Sequence, residues 1–105
     1  MLEPRFREVY LRFYKETYDS SVLDRKTKEL VAIGASLAAK CQGCIEGHIR
    51  KAISYGATRE EISETIAIAM GVSAAAVVDL TDIAALSMKL RLFEEPGRTS
   101  GVPSP

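Results

Sequence analysis

The sequence predicts an all-α fold, a small single-domain bundle of about five helices. Apolar residues recur at helical spacing along most of the chain. No segment shows the strict apolar–polar alternation of a half-buried strand. A length of 105 residues suits one domain rather than two. Short stretches with capping or helix-stopping residues separate the periodic segments, and they set the order of the predicted helices.

The first predicted helix covers residues 3–18. Its apolar positions follow the i, i+3, i+4, i+7, i+8 pattern of a single helix face; they are Phe6, Val9, Tyr10, Phe13 and Tyr14. This face holds most of the aromatic side chains in the chain, and we interpret it as a surface that packs on the core. The polar run Asp19-Ser20-Ser21 ends this helix.

The second predicted helix begins after Asp24, whose short acceptor side chain can cap the first free amides. It runs to about Ala39 and carries an apolar stripe for the core, which consists of Leu30, Ile33, Gly34, Leu37 and Ala38. The break before the next helix is expected in residues 40–44, which contain Gly43.

The third predicted helix runs from near Cys44 to Tyr55. Gly56 then provides a C-terminal stop, because glycine adopts a positive φ at little cost. The fourth helix opens with a capping box, in which Thr58 covers the amide of Glu61 and Glu61 reaches back.

The C-terminal part of the bundle is unusually apolar. Gly71 is expected to interrupt the fourth helix, so that a fifth helix follows over residues 73–92. Residues 62–90 present more apolar surface than a chain of this size can bury, and we therefore expect obligate oligomers. We divide the chain into a helical domain, 1–93, and a Pro/Gly/Ser-rich tail, 94–105.

Charge and hydropathy bear on partners and location. Lys plus Arg and Asp plus Glu both number 14, and this balance argues against nucleic-acid binding, which needs a basic excess. The N-terminus is charged from Glu3 onward and lacks the apolar core of a signal peptide. The longest uncharged apolar stretch, 66–78, is shorter than the about 20 residues of a membrane span. We expect a cytoplasmic protein without a membrane partner.

The chemistry-bearing residues lie within eight positions. Both cysteines and the single histidine of the chain fall in the pattern Cys41-x-x-Cys44-x-x-x-His48. Cys44 and His48 are i and i+4, so they share one face of a helix. A Cys-x-x-Cys pair at a helix N-terminus can close into a disulfide, and the helix dipole there favours a thiolate. In a reducing compartment this spacing is more often catalytic or metal-binding than structural.

The spacing also assigns roles. His48 can accept the Cys44 proton as a general base beside a nucleophile. A third group that orients the imidazole ring would make His48 a more effective base. Glu29 is our candidate, although an acid in a charged first turn can simply complement the helix dipole. Cys41 lies seven residues from His48, so we expect Cys44 to attack and Cys41 to resolve.

A metal site is the chemical alternative. The two cysteines and His48 supply three zinc ligands of acceptable type, but a closed site needs four, so Glu29 or a water would have to complete it. An iron–sulfur cluster held by two cysteines would need a partner chain. We expect neither a metal nor a cofactor.

Several segments resemble the alkylhydroperoxidase D-like proteins of the carboxymuconolactone decarboxylase superfamily. The matching runs are Glu29-Leu30-Val31-Ala32-Ile33-Gly34, Cys41-Gln42-Gly43-Cys44-Ile45-Glu46-Gly47-His48, Ala52, and Gly56-Ala57-Thr58-Arg59-Glu60-Glu61-Ile62. The resemblance implies an all-α fold and homo-oligomers, commonly trimers or hexamers. It implies a peroxidase or disulfide reductase supplied by an external thiol reductant. Cys44 would attack a hydroperoxide or disulfide, Cys41 would resolve, and Glu29 and His48 would relay protons.

One position departs from that family pattern. The best-studied peroxidase-type members carry a second histidine immediately before the attacking cysteine, where this chain has Gly43. The relay then lacks one member, which counts against efficient peroxidase activity. The decarboxylase branch of the family generally lacks the cysteine pair, so the pair in this chain argues against lactone decarboxylation. Two alternatives stay open: a non-catalytic redox-responsive or metal-binding oligomeric module, and thiol-independent, decarboxylase-like chemistry that uses His48.

Overall fold

A computed structural model of the chain describes residues 1–94. This range contains four α-helices and no β-strand: α1 (Pro4–Tyr18), α2 (Arg25–Ala39), α3 (Gln42–Ser54) and α4 (Arg59–Ser87). The all-α prediction is confirmed. The described range has four helices where about five were predicted, and almost all of the predicted tail, residues 95–105, lies outside the described residues.

The expected break at Gly71 does not exist, since α4 continues through it to Ser87. A glycine inside a helix costs only about 0.5–1 kcal/mol relative to alanine. A break would instead leave backbone amides and carbonyls without partners, and no proline near Gly71 forces one. The helix ends before the predicted Leu92, and Lys89 has the positive φ, 62°, that often follows a helix.

The helix caps form as the sequence predicts. The Asp24 side chain accepts a hydrogen bond from the Thr27 amide at 2.8 Å, at the start of α2. At the start of α4, the Glu61 amide donates to Thr58 Oγ1 at 3.0 Å, and the Thr58 amide donates to Glu61 Oε1 at 2.9 Å. Gly56 adopts a φ of +93° after α3, which agrees with its predicted role as a stop.

The break between α2 and α3 lies earlier than the position of Gly43 suggests. Lys40 takes the left-handed conformation, with φ 56°, and Cys41 is extended. Gly43 lies inside the first turn of α3. As a consequence Cys41 is the N-cap residue of α3, and Cys44 follows in its first turn.

The core lies where α2 and α3 meet the first half of α4. Its centre is formed by Ile33, Ala52 and Ile62, surrounded by the partly buried side chains of Leu30, Leu37, Ile49 and Ala57. An ion pair between Lys26 Nζ and Glu61 Oε2, 2.8 Å apart, joins α2 to α4 at the edge of this core. The predicted stripe of α2 therefore supplies one side of the core.

Helix α1 packs less closely than its apolar face predicts. None of its residues is buried, and Phe13 is 69% exposed. Only Tyr14 and Tyr18 are half-buried. Lys28 from α2 holds the end of α1 through a hydrogen bond from Nζ to the Thr17 carbonyl at 2.8 Å. The interpretation of this face as a core surface is therefore wrong for most of its length within the single chain.

The second half of α4 is largely uncovered. The chain exposes 8875 Å², whereas a compact monomer of its mass would expose about 5800 Å². An 18-residue window of α4 has a mean hydropathy of 1.8, and none of it is buried. By length and composition alone this helix is able to cross a membrane, a test that the helices of soluble proteins also pass. The sequence-based expectation of no such segment is not met, because α4 extends well beyond the uncharged stretch 66–78.

Candidate active site

A buried carboxyl and an imidazole form the centre of the site. Glu29 on α2 is fully buried and His48 on α3 is 8% exposed. Glu29 Oε2 and His48 Nδ1 are 2.6 Å apart, a short hydrogen bond between two helices. The structure thus brings together the two residues that the sequence proposed as a relay, although they are 19 positions apart in the chain.

Arg25 completes the environment of Glu29. Its Nε and Nη2 atoms both lie 2.9 Å from Glu29 Oε1. That oxygen therefore forms an ion pair with the guanidinium group of a residue one helical turn earlier. Arg25 Nη1 also donates to the Tyr55 hydroxyl at 3.2 Å. Both Glu29 oxygens are therefore engaged, and among the described residues no buried side-chain polar atom lacks a partner. The arrangement fixes the carboxyl group and, through it, the imidazole ring.

The hydrogen bond from His48 defines which nitrogen is basic. Because the Glu29 oxygen accepts, Nδ1 carries the proton and Nε2 presents the lone pair. The Tyr18 hydroxyl lies 3.4 Å from Nε2. This is a loose hydrogen bond, as catalytic groups commonly show before substrate binds.

Two tyrosines of α1 belong to the site, although the sequence argument did not place them there. The Tyr18 ring stacks on His48, with centroids 5.2 Å apart and planes inclined by 25°. Tyr14 packs on Tyr18 at 4.5 Å, and its hydroxyl accepts from Lys51 Nζ at 2.7 Å. Burial, followed by the proximity of Tyr14 and Glu29, raises the pKa of Tyr18. Its hydroxyl therefore stays protonated at neutral pH.

The sequence holds a signal for these tyrosines, but a weak one. Tyr14 and Tyr18 are i and i+4 on one face of α1, and an aromatic pair at that spacing predicts a shared contact surface. The contact partner could not be predicted, because it depends on how α1 lies against α3.

The two cysteines occupy the N-terminus of α3. Their Sγ atoms lie within bonding distance and form a disulfide. The Cys44 amide donates to Cys41 Sγ at 3.3 Å, so the sulfur of Cys41 caps the helix. Cys41 is half-buried and Cys44 is exposed. The pairing agrees with the Cys-x-x-Cys prediction, and Cys44 is the more accessible of the two cysteines.

The expected hydrogen bond between His48 and Cys44 is not formed in the disulfide state that residues 1–94 show. They share a face of α3, as i and i+4 positions do, but no hydrogen bond joins His48 to either sulfur within residues 1–94. A disulfide sulfur carries no proton to donate, and His48 Nε2 faces Tyr18 instead. In the same range no three His, Cys, Asp or Glu side chains converge to hold a metal ion.

Comparison with known proteins identifies the fold family. The sequence model of the carboxymuconolactone decarboxylase family matches residues 4–86, which include α1 to α3 and nearly all of α4. The chain belongs to this family. The resemblance drawn from the sequence motif is thereby confirmed, and the Glu29–His48 pair and the cysteines lie inside the matched region.

Two relatives with similar sequences are themselves uncharacterized proteins. An uncharacterized protein of the cox locus of Paracoccus denitrificans is 36% identical over 69 residues, 66% of this chain and 62% of that protein. An uncharacterized protein of Haemophilus influenzae is 31% identical over 49 residues, 47% of this chain and 43% of that protein. The matched part of the chain thus spans less than two thirds of either relative.

Solved structures of the family share the fold. A family protein from Legionella pneumophila aligns with a TM-score of 0.60 at 35% identity, over 63% of this chain and 59% of that one. A family protein from Thermotoga maritima aligns with a TM-score of 0.62 at 26% identity, over 84% of this chain and 99% of that one. For the latter, a part in an antioxidative response has been suggested.

Proposed function

We propose that this protein is a dithiol oxidoreductase, a peroxidase or disulfide reductase, whose working thiols are Cys44 and Cys41. The observation that carries the proposal is the cysteine pair at disulfide distance, one helical turn before a histidine whose ring a buried glutamate holds. The suggested antioxidative role of the Thermotoga relative supports the same reading. A passive module gives no reason for a buried Glu29–His48 pair held by Arg25, and thiol-independent chemistry gives no reason for the cysteine pair.

In the oxidative step Cys44 is the nucleophile. Its thiol gives a proton to His48, and the thiolate attacks the distal oxygen of a hydroperoxide. The O–O bond breaks as the S–O bond forms, and the alkoxide leaves as an alcohol after taking the proton back. Cys44 becomes a sulfenic acid, and the peroxide gains two electrons. Exposure of Cys44 favours this assignment, because the attacking sulfur must meet the substrate.

In the resolving step Cys41 attacks the Cys44 sulfur. The S–O bond breaks, hydroxide takes up a proton and leaves as water, and the disulfide forms. The position of Cys41 as N-cap suits this step, because the Cys44 amide and the helix dipole stabilise a Cys41 thiolate. An external dithiol then attacks the disulfide, becomes oxidised itself and restores both protein thiols.

Glu29 and His48 serve as the proton relay in this scheme. When His48 gains a proton at Nε2, the imidazolium is stabilised by the Glu29 carboxylate 2.6 Å from Nδ1. Arg25 keeps that carboxylate ion-paired and oriented. The chain has Gly43 where peroxidase-type relatives carry a second histidine, so we expect slower peroxide turnover than in those relatives.

The proposal includes an assembly and a location. The apolar second half of α4 forms the surface that we expect to join subunits, as a trimer or hexamer in the cytoplasm. Side chains there remain highly exposed in the single chain, Leu80 at 68% for example.

Free-thiol counting coupled to a turnover assay tests the function. The reduced protein should lose two thiols on addition of one equivalent of hydroperoxide, and dithiothreitol should then support repeated peroxide consumption. Oxidation that stops after one equivalent, even with dithiothreitol present, would indicate a redox-responsive module instead. A small-acid activity that survives alkylation of both cysteines would indicate decarboxylase-like chemistry.

A further inference from the structure

We propose that Tyr18 is a positioning residue of the same site: its hydroxyl is the group through which His48 Nε2 gains and loses its proton. This inference rests on the proposed thiol chemistry and adds a member to its relay. It places a side chain of α1 in a site otherwise made by α2 and α3. The Tyr18 hydroxyl stands 3.4 Å from Nε2, and its ring stacks on the imidazole.

Access to His48 is limited. The residue is 8% exposed, and its Nδ1 is occupied by Glu29. A proton can therefore enter or leave the imidazole only through Nε2. Among the described residues, the Tyr18 hydroxyl is the polar group within hydrogen-bond distance of that nitrogen. Tyr18 is itself half-buried, so its ring connects the enclosed imidazole with the outside of the helix bundle.

The chemistry of a tyrosine hydroxyl suits proton transfer to and from His48. A tyrosine hydroxyl both donates and accepts, so it serves neutral His48 as a donor and protonated His48 as an acceptor. As a relay it takes one proton from the reacting thiol or solvent while it passes its own proton to Nε2, so one proton moves and Tyr18 is unchanged.

Helix α3 offers no second relay group beside the attacking cysteine, because Gly43 has no side chain. Tyr18 supplies a polar group to His48 Nε2 from a different helix. The group is held in place, since Tyr14 packs on its ring at 4.5 Å and Lys51 on α3 donates to the Tyr14 hydroxyl.

Packing alone is the competing explanation, and Tyr18→Phe separates the two because it keeps the ring and removes the hydroxyl. The matched control is Tyr10→Phe, the same change on the same helix at an exposed residue whose hydroxyl has no hydrogen bond within residues 1–94. The first readout is the ¹⁵N resonance of His48 Nε2 in the oxidised protein, which is unambiguous because the chain has one histidine. Loss of the hydrogen bond should move this resonance downfield in Tyr18→Phe and not in Tyr10→Phe.

The second readout is alkylation of Cys44 in a Cys41→Ser background, followed across pH. Hydrogen bonds to charged groups are the stronger ones, so loss of the hydroxyl disfavours the thiolate–imidazolium pair. We expect Tyr18→Phe to slow alkylation at pH 7 by about fivefold, the rate equivalent of one hydrogen bond, and to move the profile to higher pH. Tyr10→Phe should match the background in rate and profile.

Each outcome decides the inference. A downfield shift together with slower alkylation supports it. An unchanged Nε2 resonance in Tyr18→Phe would overturn the hydrogen bond, and a shifted resonance with an unchanged pH profile would overturn the relay role. Neither readout needs peroxide turnover. A wild-type protein that alkylates with the expected profile but ignores peroxide would refute the proposed peroxidase reaction and leave the role of Tyr18 standing.

Discussion

His48 is held at both ring nitrogens, by Glu29 on one side and by Tyr18 on the other. A histidine fixed in this way has one tautomer and one orientation, which a general base needs before a substrate arrives. The same enclosure means that removing its side chain would leave Oε2 of the buried Glu29 without a partner, while Arg25 still holds Oε1. Variants that keep a donor toward Glu29 therefore give the clearest test.

We expect His48→Asn to slow thiol chemistry while it keeps the fold. The shorter amide can still donate toward Glu29, but it cannot accept the thiol proton. An ordinary cysteine, with a pKa near 8.5, is only about 3% thiolate at pH 7, so the loss in the Cys44 alkylation rate should be large but no more than about thirtyfold. The check is the alkylation rate between pH 5 and 9 in the Cys41→Ser background. An unchanged rate and pH profile would exclude His48 as the base.

The sequence determines the cysteine and histidine arrangement more fully than the rest of the site. Cys44 and His48 share a face of α3 because helical spacing is local. Glu29 required a contact between α2 and α3, which family resemblance indicated and the structure shows. Tyr18 was missed because the helical period of α1 says which face is apolar but not which helix that face meets.

At the level of the helices, local signals predicted the caps and the break between α2 and α3, and failed at Gly71. The caps at Asp24 and Thr58 depend on residues within one turn, so the sequence alone specifies them. The break expected at Gly71 depended on a small propensity difference, which the continuous hydrogen bonding of α4 outweighs. The packing of α1 depends on distant contacts, and the exposed aromatic face of that helix is consistent with contacts outside the single chain.

The junction between α2 and α4 carries an acid-sensitive contribution to stability. The Lys26 ammonium, followed by the Thr58 amide, lowers the pKa of Glu61. A lowered folded-state pKa means that this stability is present above the unfolded-state value of about 4.3 and is lost as pH falls through the folded-state pKa. We expect Glu61→Gln to reduce stability near pH 7 and to flatten its fall below pH 5, as measured by urea unfolding.

The control for that experiment is Glu64→Gln on the same helix, an exposed glutamate that forms no ion pair within the described residues. It should retain both the stability near neutral pH and the acid-induced fall of the wild type. If the acid-induced fall were as steep in Glu61→Gln as in the wild type, other carboxyl groups would have to account for it.

At the scale of the whole molecule, the main surface left uncovered by the described chain is the apolar face of α4. Leu80 and Ile83 are 68% and 64% exposed. An apolar surface of this extent is typical of a subunit interface. We expect light scattering at micromolar concentration to give a single trimer or hexamer. A clean monomer would contradict the proposed assembly.

A paired substitution locates the interface. Leu80→Glu with Ile83→Glu should dissociate the oligomer, because charges would then be buried without partners. Val22→Glu, at a fully exposed position between α1 and α2, is the control and should leave the mass unchanged. An oligomer that survives the double substitution would require a different interface, such as the aromatic face of α1.

In the proposed mechanism Cys44 attacks and Cys41 resolves. Cys44 is exposed and one turn from His48, whereas Cys41 caps α3 and its sulfur accepts the Cys44 amide. The helix N-terminus therefore favours a Cys41 thiolate, while proximity to the base favours Cys44. The two effects compete, and the geometry alone gives each thiol a reason to be reactive.

Mass spectrometry of the Cys41→Ser and Cys44→Ser variants after brief exposure to peroxide shows which cysteine attacks. Cys41→Ser should accumulate a sulfenic acid at Cys44, because the resolving thiol is gone. Cys44→Ser should react slowly or not at all under the same conditions. A sulfenic acid that forms faster on Cys41 in the Cys44→Ser variant would reverse the two roles and remove the basis for the His48 relay.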